Sequence, residues 1–210
     1  MARTPKAAFF AKDGLLNMDR PCRRLSEGHV EWSRDTIEGL RLLYLAGYAL
    51  IVVTPEAEAT RGRFTKDTIF DEEFTLRISL AMLNIPLVNF YHCPHHPQGT
   101  RAAYIHECHC RKPQSGLLIH AAGEFNVVPQ RSWMIGDTLD DMEAGQAAGC
   151  RTILLTNGSE PNWNMTERRW PDFIAADILE AASMVLLTDV NYLLDKRPGA
   201  LGVEDEEANL

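Results

Sequence analysis

The sequence predicts an α/β protein built on a parallel, doubly wound sheet. Short apolar runs that suit strands alternate with amphipathic segments that suit helices, and this alternation is typical of a parallel sheet covered by helices on both faces. Several apolar runs are almost uninterrupted, as expected of strands buried on both sides. At 210 residues the chain can form one complete core. We therefore expect one domain over 1–194 and an acidic, disordered tail over 195–210.

The N-terminal half begins with an apolar run at 7–11, which predicts the first strand, and a polar connection follows over 17–32. Ser33 or Asp35 is suited to cap the first long helix. The further elements expected in this half are a helix to about 46, a strand over 49–54, a helix over 66–83 and a strand over 88–91. The apolar positions of the second long helix are Ile69, Phe70, Phe74, Ile78 and Met82.

The C-terminal half repeats the alternation of helices and strands. The elements expected here are a helix over 114–123, a strand over 132–136, a helix over 139–148, a strand over 151–156 and an amphipathic helix over 176–187. A loop over 159–171 carries Trp163 and Trp170. These tryptophans and the acidic tail are the candidate contacts for a protein partner, although loop tryptophans usually pack locally.

Composition argues against two classes of partner. The formal charge is −8 and no basic run stands out, so nucleic acid is not expected. No apolar run approaches the roughly 20 residues that span a bilayer, so no membrane partner is expected. The N-terminus leads directly into a strand rather than a signal peptide. We therefore expect a cytoplasmic protein with reduced thiols.

A loop rich in cysteine and histidine is the most specific local feature. Two short pairs, Cys93-x-His95 and Cys108-x-Cys110, stand twelve residues apart. Such pairs can supply the four nitrogen and sulfur ligands that zinc requires, and a site filled by four protein ligands would be structural. The alternative is a reduced loop without metal. Nearby histidines leave the histidine ligand open, namely His92, His96, His106 and His109.

Carboxylates follow two of the predicted strands. Asp13 follows the first strand, Asp137 follows the strand at 132–136, and Asp140 and Asp141 stand one turn further on. Because parallel strands end at one edge of a sheet, these acids can converge on a Mg²⁺ site. The alternative is that the last three acids cap a helix and complement its dipole.

Three further residues are candidates for binding phosphate. Thr54 ends a buried strand, where a hydroxyl beside backbone N–H groups suits phosphate, although such threonines often only form turns. Arg111 and Lys112 directly follow Cys110. A rigid metal loop would hold both cations towards an anion, and the alternative is a solvated basic pair.

Together these segments resemble the haloacid dehalogenase (HAD) superfamily over about residues 7–190. The segment Tyr-His-Cys-Pro-His-His-Pro-Gln-Gly at 91–99, closed by Cys-His-Cys-Arg-Lys-Pro at 108–113, resembles the zinc loop of D-glycero-D-manno-heptose 1,7-bisphosphate 7-phosphatases. These enzymes and the related histidinol-phosphate phosphatases form HAD subfamily III. The resemblance implies a three-layer Rossmann-like fold with a minimal cap, a zinc loop over 92–113 and a Mg²⁺-dependent phosphomonoester hydrolase.

The resemblance also assigns roles to individual residues. Gly-Asp-Thr-Leu-Asp-Asp-Met at 136–142 is similar to the motif whose acids hold Mg²⁺, Lys112 to the motif-three lysine, and Thr54 to the motif-two hydroxyl. Arg61 matches the turn after motif two and would help to bind phosphate, as would Arg111. The implied zinc ligands are Cys93, His95, Cys108 and Cys110, and the implied Mg²⁺ ligands are Asp13, Asp137 and Asp141.

The chain departs from the family pattern at two places. Motif one is Asp-x-Asp-Gly, in which the first Asp attacks phosphorus and the second is the general acid and base. Here Ala11 stands at the nucleophile position, and Asp13 remains. Motif two continues as Pro55-Glu56-Ala57-Glu58 instead of Asn-Gln-Ser-Gly, which removes a backbone donor and adds negative charge.

These departures predict a protein that hydrolyses phosphate esters slowly or not at all, because losing a nucleophile can cost on the order of 10⁶ in rate. We expect a pseudophosphatase that retains phosphosugar binding or serves as a protein-binding scaffold. The alternative is that Ala11 is an Asp→Ala substitution introduced into an ordinary sugar-bisphosphate phosphatase. A third possibility is a purely structural interaction module.

Overall fold

The computed structural model describes residues 5–16, 30–55, 66–97, 104–156 and 163–195. Within these ranges six parallel strands form one sheet in the order β3-β2-β1-β4-β5-β6. The strands are β1 Lys6–Phe10, β2 Tyr48–Pro55, β3 Leu87–Cys93, β4 Trp133–Gly136, β5 Arg151–Leu155 and β6 Phe173–Ala175. The predicted parallel α/β architecture is confirmed.

Helices cover both faces of this sheet. They are α1 Lys12–Leu16, α2 Arg34–Leu45, α3 Lys66–Met82, α4 Gly116–Glu124, α5 Leu139–Ala148 and α6 Ile178–Asp195. Alternation along β1 shows the three layers, because Ala8 and Phe10 pack with α2, α3 and α6, whereas Ala7 and Phe9 pack with α4 and α5. Successive side chains of a strand point to opposite faces, so β1 lies between two cores.

The central position of β1 determines where the candidate site lies. Phe10 is in register with Val52 of β2 and with Ile135 of β4. The carboxyl ends of β1, β2 and β4 therefore meet at one edge of the sheet, and ligands of open α/β sheets bind at such an edge.

Most predicted elements are present within a few residues of their expected ends. Ser33 caps α2, and its side chain accepts a hydrogen bond of 3.0 Å from the Thr36 N–H. Two elements differ from prediction. The strand β6 was not predicted, because it has only three residues and two of them are exposed. The last helix begins at Ile178 and extends to Asp195, well beyond 187, because apolar residues on its exposed side obscure the periodicity.

The predicted apolar face of α3 is wrong. Phe74, Ile78 and Met82 are exposed, whereas Leu76 and Leu80 are buried; the side chains of Ile69 and Phe70 lie outside the described part of the helix. The buried pair lies two residues away from the predicted stripe, which is roughly the opposite side of a helix. Because α3 has apolar residues on both sides, its buried face cannot be predicted from their spacing alone.

The remaining points are the test for a membrane-spanning helix and the expected segments that lie outside the described residues. In the parts of the chain that the structure describes, no helix is both long and apolar enough to cross a bilayer. The acidic tail beyond Asp195, the connection at 17–29 and the segment 56–65 lie outside the described residues.

Candidate functional site

A cleft opens at the carboxyl edge of the sheet, above β1, β2 and β4. It brings together every predicted Mg²⁺ ligand and, apart from Arg61, every predicted phosphate-binding residue; Arg61 lies outside the described residues. The residues that line it are Ala11, Lys12, Asp13, Thr54, Pro55, Arg111, Lys112, Asp137, Thr138, Asp140, Asp141 and Arg169.

Ala11 lies at the floor of this cleft. It directly follows β1, its backbone N–H donates a 3.0 Å hydrogen bond to the Ile135 carbonyl, and only 4% of the residue is exposed. Asp13 stands two residues later in the first turn of α1, and its side chain is exposed. The floor of the cleft thus carries a methyl group, which can neither attack phosphorus nor bind a metal.

Asp137 is almost completely buried beside the same turn. A Cβ built on Gly14 would lie 3.1 Å from Asp137 Oδ1, so the α1 turn packs directly against this carboxylate. Asp13 and Asp137 therefore converge on one region, as the sequence predicted. Their carboxylates are oxygen donors of the kind that Mg²⁺ prefers.

Lys112 and Asp141 form a buried ion pair at the base of the cleft. Lys112 Nζ donates a 3.1 Å hydrogen bond to the Val53 carbonyl and contacts Asp141 Oδ1. Both side chains are less than one-tenth exposed. Removing either partner would leave a buried charge without its counter-charge, which typically costs about 3–5 kcal/mol.

The other oxygen of Asp141 caps α5. Asp141 Oδ2 accepts hydrogen bonds from the Thr138 hydroxyl at 2.9 Å, from the Thr138 N–H at 3.1 Å and from the Asp137 N–H at 3.2 Å. Thr138 is the N-cap of this helix and forms a capping box with Asp141. The alternative capping interpretation therefore holds for Asp141, and a cation would have to share an already engaged carboxylate.

Thr54 lies near the end of β2 and is buried. Its hydroxyl makes a long contact of 3.4 Å with the Pro55 carbonyl. This contact is near the limit for an O–H donor, so the hydroxyl can turn towards a ligand. Pro55 lines the cleft beside it and has no N–H to donate.

The four predicted zinc ligands lie together at the end of β3 and in the following loop. The ligand atoms of Cys93, His95, Cys108 and Cys110 all lie within 4.8 Å of one another, and Cys93 Sγ is 3.0 Å from Cys110 Sγ and 3.5 Å from Cys108 Sγ. Tetrahedral zinc thiolates have sulfur atoms about 3.7 Å apart. The cluster therefore fits zinc with four protein ligands, after a small expansion.

The pKa shifts of these four side chains do not all act in one direction. Burial raises the pKa of the Cys93 and Cys110 thiols. At Cys108 burial acts in the same direction, but hydrogen bonds, chiefly from Cys110 and the Arg111 N–H, outweigh it and lower the pKa. Burial and the neighbouring His106 lower the pKa of His95, which keeps its imidazole neutral. A bound cation would hold the thiols as thiolates.

The metal loop is connected to the cleft through Arg111. The Arg111 N–H donates to Cys108 Sγ at 3.3 Å, and Nη1 of the same residue donates to the His95 carbonyl at 3.1 Å. Arg111 and Lys112 line the cleft directly after these contacts. The loop that could hold zinc therefore also fixes Arg111, one of the cations of the candidate phosphate site.

Arg169 is a cleft residue that the sequence did not reveal. It lies in the segment predicted as a loop, and its guanidinium pairs with Asp140 and Glu143 of α5. The i, i+3 spacing of these acids places them on one side of a helix, which indicates a cationic partner without identifying it.

A parallel sheet with buried, paired charges at its carboxyl edge and a Cys/His loop beside them is the arrangement that the HAD resemblance implies. A family model described as HAD-hydrolase-like matches residues 109–181. The D-glycero-β-D-manno-heptose-1,7-bisphosphate 7-phosphatase of Pasteurella multocida (strain Pm70) is 35% identical over 162 residues, covering 74% of this chain and 84% of that protein. The enzyme of the same name from Escherichia coli (strain K12) is 34% identical over 161 residues, covering 77% and 84%. The chain belongs to this family of heptose bisphosphate phosphatases.

Solved structures share the fold. The D,D-heptose 1,7-bisphosphate phosphatase of B. bronchiseptica, complexed with magnesium and phosphate, is similar with a TM-score of 0.68 and 21% identity, covering 88% of this chain and 99% of that one. The corresponding protein of Burkholderia thailandensis gives a TM-score of 0.56 and 20% identity, covering 86% and 98%. The HAD-like fold expected from the sequence is thereby confirmed.

Proposed function

We propose that this chain is a HAD-fold pseudophosphatase that binds a phosphorylated sugar and hydrolyses it slowly or not at all. Ala11 carries the proposal, because it lies on the cleft floor where the family resemblance requires the attacking carboxylate. Covalent phosphoryl transfer depends on a nucleophile, on positioning and on charge neutralisation together. Asp13 retains a carboxylate for general acid or base chemistry, but no nucleophile stands at position 11 to form the phosphoryl-enzyme intermediate that this chemistry would assist.

The residues that remain are suited to hold phosphate. Lys112, Arg111 and Thr54 all line the cleft, and Arg61 is expected to join them. Mg²⁺, when bound, would neutralise phosphate charge, with Asp13, Asp137 and Asp141 as its candidate ligands. Zinc in the Cys93, His95, Cys108 and Cys110 cluster would be structural, because four protein ligands leave no open position.

The balance of acidic and basic side chains in the cleft supports phosphate binding without catalysis. Four carboxylates and four cations line the described part of the cleft. A carboxylate at position 11 would make the net charge of this lining negative. Like charges at such a site repel an anionic ligand unless a metal offsets them. Ala11 therefore makes phosphate binding less dependent on Mg²⁺.

The names of the relatives indicate the ligand class. Proteins at least a third identical to this chain are named for heptose 1,7-bisphosphate, so a heptose phosphate is the first ligand to test. A cytoplasmic setting would keep the cysteine cluster reduced. A scaffold role would use other surfaces, and the exposed Trp163 and Trp170 are the candidate contacts for a protein partner.

The alternative is an active heptose bisphosphate phosphatase that carries an Asp→Ala substitution at position 11. The presence of Asp13, Lys112 and Asp137 in one cleft favours it. Ala11→Asp separates the two proposals when phosphate release from heptose 1,7-bisphosphate is followed with Mg²⁺ present.

The unaltered chain is expected to release phosphate at least 10⁴-fold more slowly than an active relative, and turnover near one per second would contradict the pseudophosphatase. Under natural loss of the site A11D is expected to stay inactive, because Pro55 lacks a backbone donor and the following glutamates add negative charge, so the phosphoryl group is not stabilised during its transfer. Recovery of full activity in A11D would favour the alternative. Calorimetry with the same ligand checks binding, and absence of binding with and without Mg²⁺ would favour a module without this ligand.

A further inference from the structure

A second cavity lies at the amino edge of the sheet, where β4 and β5 begin. Trp133 and Arg151 are the first residues of these strands and lie in register with each other. Arg131, just before β4, and Asp189 and Tyr192 of α6 also line this cavity, which we call the amino-edge cavity. β4 and β5 have four and five residues, so roughly 13–17 Å separate it from the carboxyl edge that carries the cleft. Among the described residues, the two cavities share no lining residue.

Two arginines of this cavity are neighbours and are held by aromatic rings. The backbone N–H of Arg151 donates a 3.1 Å hydrogen bond to the carbonyl of Ser132, which directly follows Arg131. Arg151 Cζ lies 5.5 Å from the centre of the Trp133 ring, and Arg131 Cζ lies 5.8 Å from that of Tyr192. Within the ranges that the structure describes, neither guanidinium has a salt bridge or a hydrogen bond to the protein. Because a cation–π contact uses no hydrogen-bond acceptor, the N–H donors of both arginines remain available for a ligand.

The acid of the amino-edge cavity is already paired with other groups. Asp189 Oδ2 accepts hydrogen bonds from Lys6 Nζ at 2.5 Å and from the Tyr48 hydroxyl at 3.0 Å. Because the charges of Lys6 and Asp189 cancel, Arg131 and Arg151 leave two positive charges at the cavity, on a chain whose formal charge is −8. Two neighbouring cations repel each other unless an anion offsets them. A bound dianion would remove this repulsion.

The size of the amino-edge cavity limits what it can hold. Its volume is about 50 Å³, and one water molecule needs at least about 10–15 Å³ on the same measure. The cavity therefore admits a single oxyanion group of roughly four or five heavy atoms, and the remainder of a larger ligand would stay in solvent. The fork of a guanidinium matches the oxygens of phosphate and carboxylate. A phosphate dianion neutralises both arginines, whereas a carboxylate supplies only one charge.

We propose that Arg131 and Arg151 form an anion site at the amino edge of the sheet, which binds inorganic phosphate or the phosphate group of a small ester. The site does not depend on the proposed function of the cleft. If the role of these arginines is only structural, each covers the aromatic ring beneath it, and the two act independently of each other. Cooperation of the two arginines on one anion therefore distinguishes the site from two solvated charges.

Nitrogen-15 NMR of the full chain at constant ionic strength tests the proposal, because the Nε–H signal of each arginine reports on its own guanidinium. The signal that disappears in Arg131→Gln or Arg151→Gln identifies each residue. Titration with inorganic phosphate should shift both signals along one binding curve, and acetate should give a Kd at least tenfold higher. R131Q should raise the phosphate Kd measured at Arg151 at least fivefold. Arg168→Gln is the matched control, because Arg168 is exposed and lines neither cavity, so the Kd should stay within twofold.

A parallel titration with glycerol 3-phosphate distinguishes the two sources of phosphate. A Kd equal to or lower than that of inorganic phosphate assigns the site to phosphate esters, and a higher Kd assigns it to free phosphate. No response of either arginine signal in about 0.1 M phosphate would overturn the site. Equal Kd values for phosphate and acetate, or a phosphate Kd at Arg151 that R131Q leaves unchanged, would overturn it as well. Should R131Q fail to fold, Arg131→Lys keeps the charge without the fork; the Kd at Arg151 should then rise at least threefold, and an unchanged Kd would contradict the inference.

Discussion

Gly136 lies directly beside Asp141, the acidic partner of the buried ion pair in the cleft. A Cβ at this position would lie 2.4 Å from Asp141 Oδ2 and 2.6 Å from Asp141 Cβ. The Asp141 carboxylate cannot retreat, because it pairs with Lys112 and accepts the hydrogen bonds that cap α5. Only glycine allows β4 to end directly against this side chain.

Gly136→Ala should therefore destabilise the protein by about 1–3 kcal/mol, the usual cost of overpacking. Urea unfolding measures the effect. Gly123→Ala is the control, because a Cβ there meets nothing within 4 Å. Alanine is favoured over glycine in a helix by up to about 1 kcal/mol, so G123A should be neutral or stabilising. Equal stability of the two variants would show that Asp141 is free to move.

Single residues also mark what the sequence could and could not reveal about the site. The three cysteines of the candidate metal cluster could be chosen from their close spacing, whereas His95 was chosen among neighbouring histidines only through the family resemblance. Asp141 was predicted both as a Mg²⁺ ligand and as a helix cap, and only the fold shows that its oxygens are already engaged. Arg169 could not be predicted, because its partners lie more than twenty residues away.

At the scale of elements, the strands were predictable where burial is complete. β1, β2, β4 and β5 are mostly apolar, and most of their residues are buried. β6 is half exposed and too short to show a pattern. α3 has apolar residues on two sides, so its buried face depends on which side meets the sheet, which is information that local spacing does not contain.

The loop between β3 and α4 couples two candidate sites. Because Arg111 contacts both Cys108 and the His95 carbonyl, loss of a metal from the cluster should release the Arg111 side chain. We expect metal-stripped protein, returned to Mg²⁺, to bind inorganic phosphate at least fivefold more weakly than protein reloaded with zinc. Calorimetry measures both Kd values.

Cys110→Ser should reproduce the effect of metal removal, since it deletes one ligand of the cluster. Cys150→Ala is the matched control, because Cys150 is also a buried cysteine but is not one of the four clustered candidate ligands. A stripped protein whose phosphate Kd equals that of the loaded form would show that Arg111 keeps its position without metal.

For the molecule as a whole, the buried Cys150 thiol is expected to lower the free energy of unfolding as the pH becomes alkaline. Burial raises the pKa of this thiol from 9.0 to about 12. The native thiol stays protonated while the unfolded one ionises, so its contribution to stability is complete below pH 9 and falls as the pH rises towards 12. The slope approaches about 1.4 kcal/mol per pH unit within this window.

Unfolding in urea between pH 8 and pH 10.5 checks this expectation. The unaltered chain should lose stability more steeply than Cys150→Ala, and the difference between the two slopes isolates the thiol from other groups that titrate in the same range. Parallel slopes would mean that Cys150 reaches solvent in the native state.

The Lys112–Asp141 pair has a consequence for how such a cleft can change over time. Losing either partner leaves a buried charge without its counter-charge, and losing Asp141 also removes part of the cap of α5, so selection on folding alone would retain both. Position 11 is different, because a methyl there packs into the core without disturbing any of these contacts. A single substitution at position 11 can therefore remove phosphatase activity from this fold while the other side chains of the cleft keep their positions. Among the acids of the cleft, the exposed Asp13 has no comparable part in folding. Retention of Asp13 in related chains that also lack the acid at position 11 would therefore indicate selection for ligand binding.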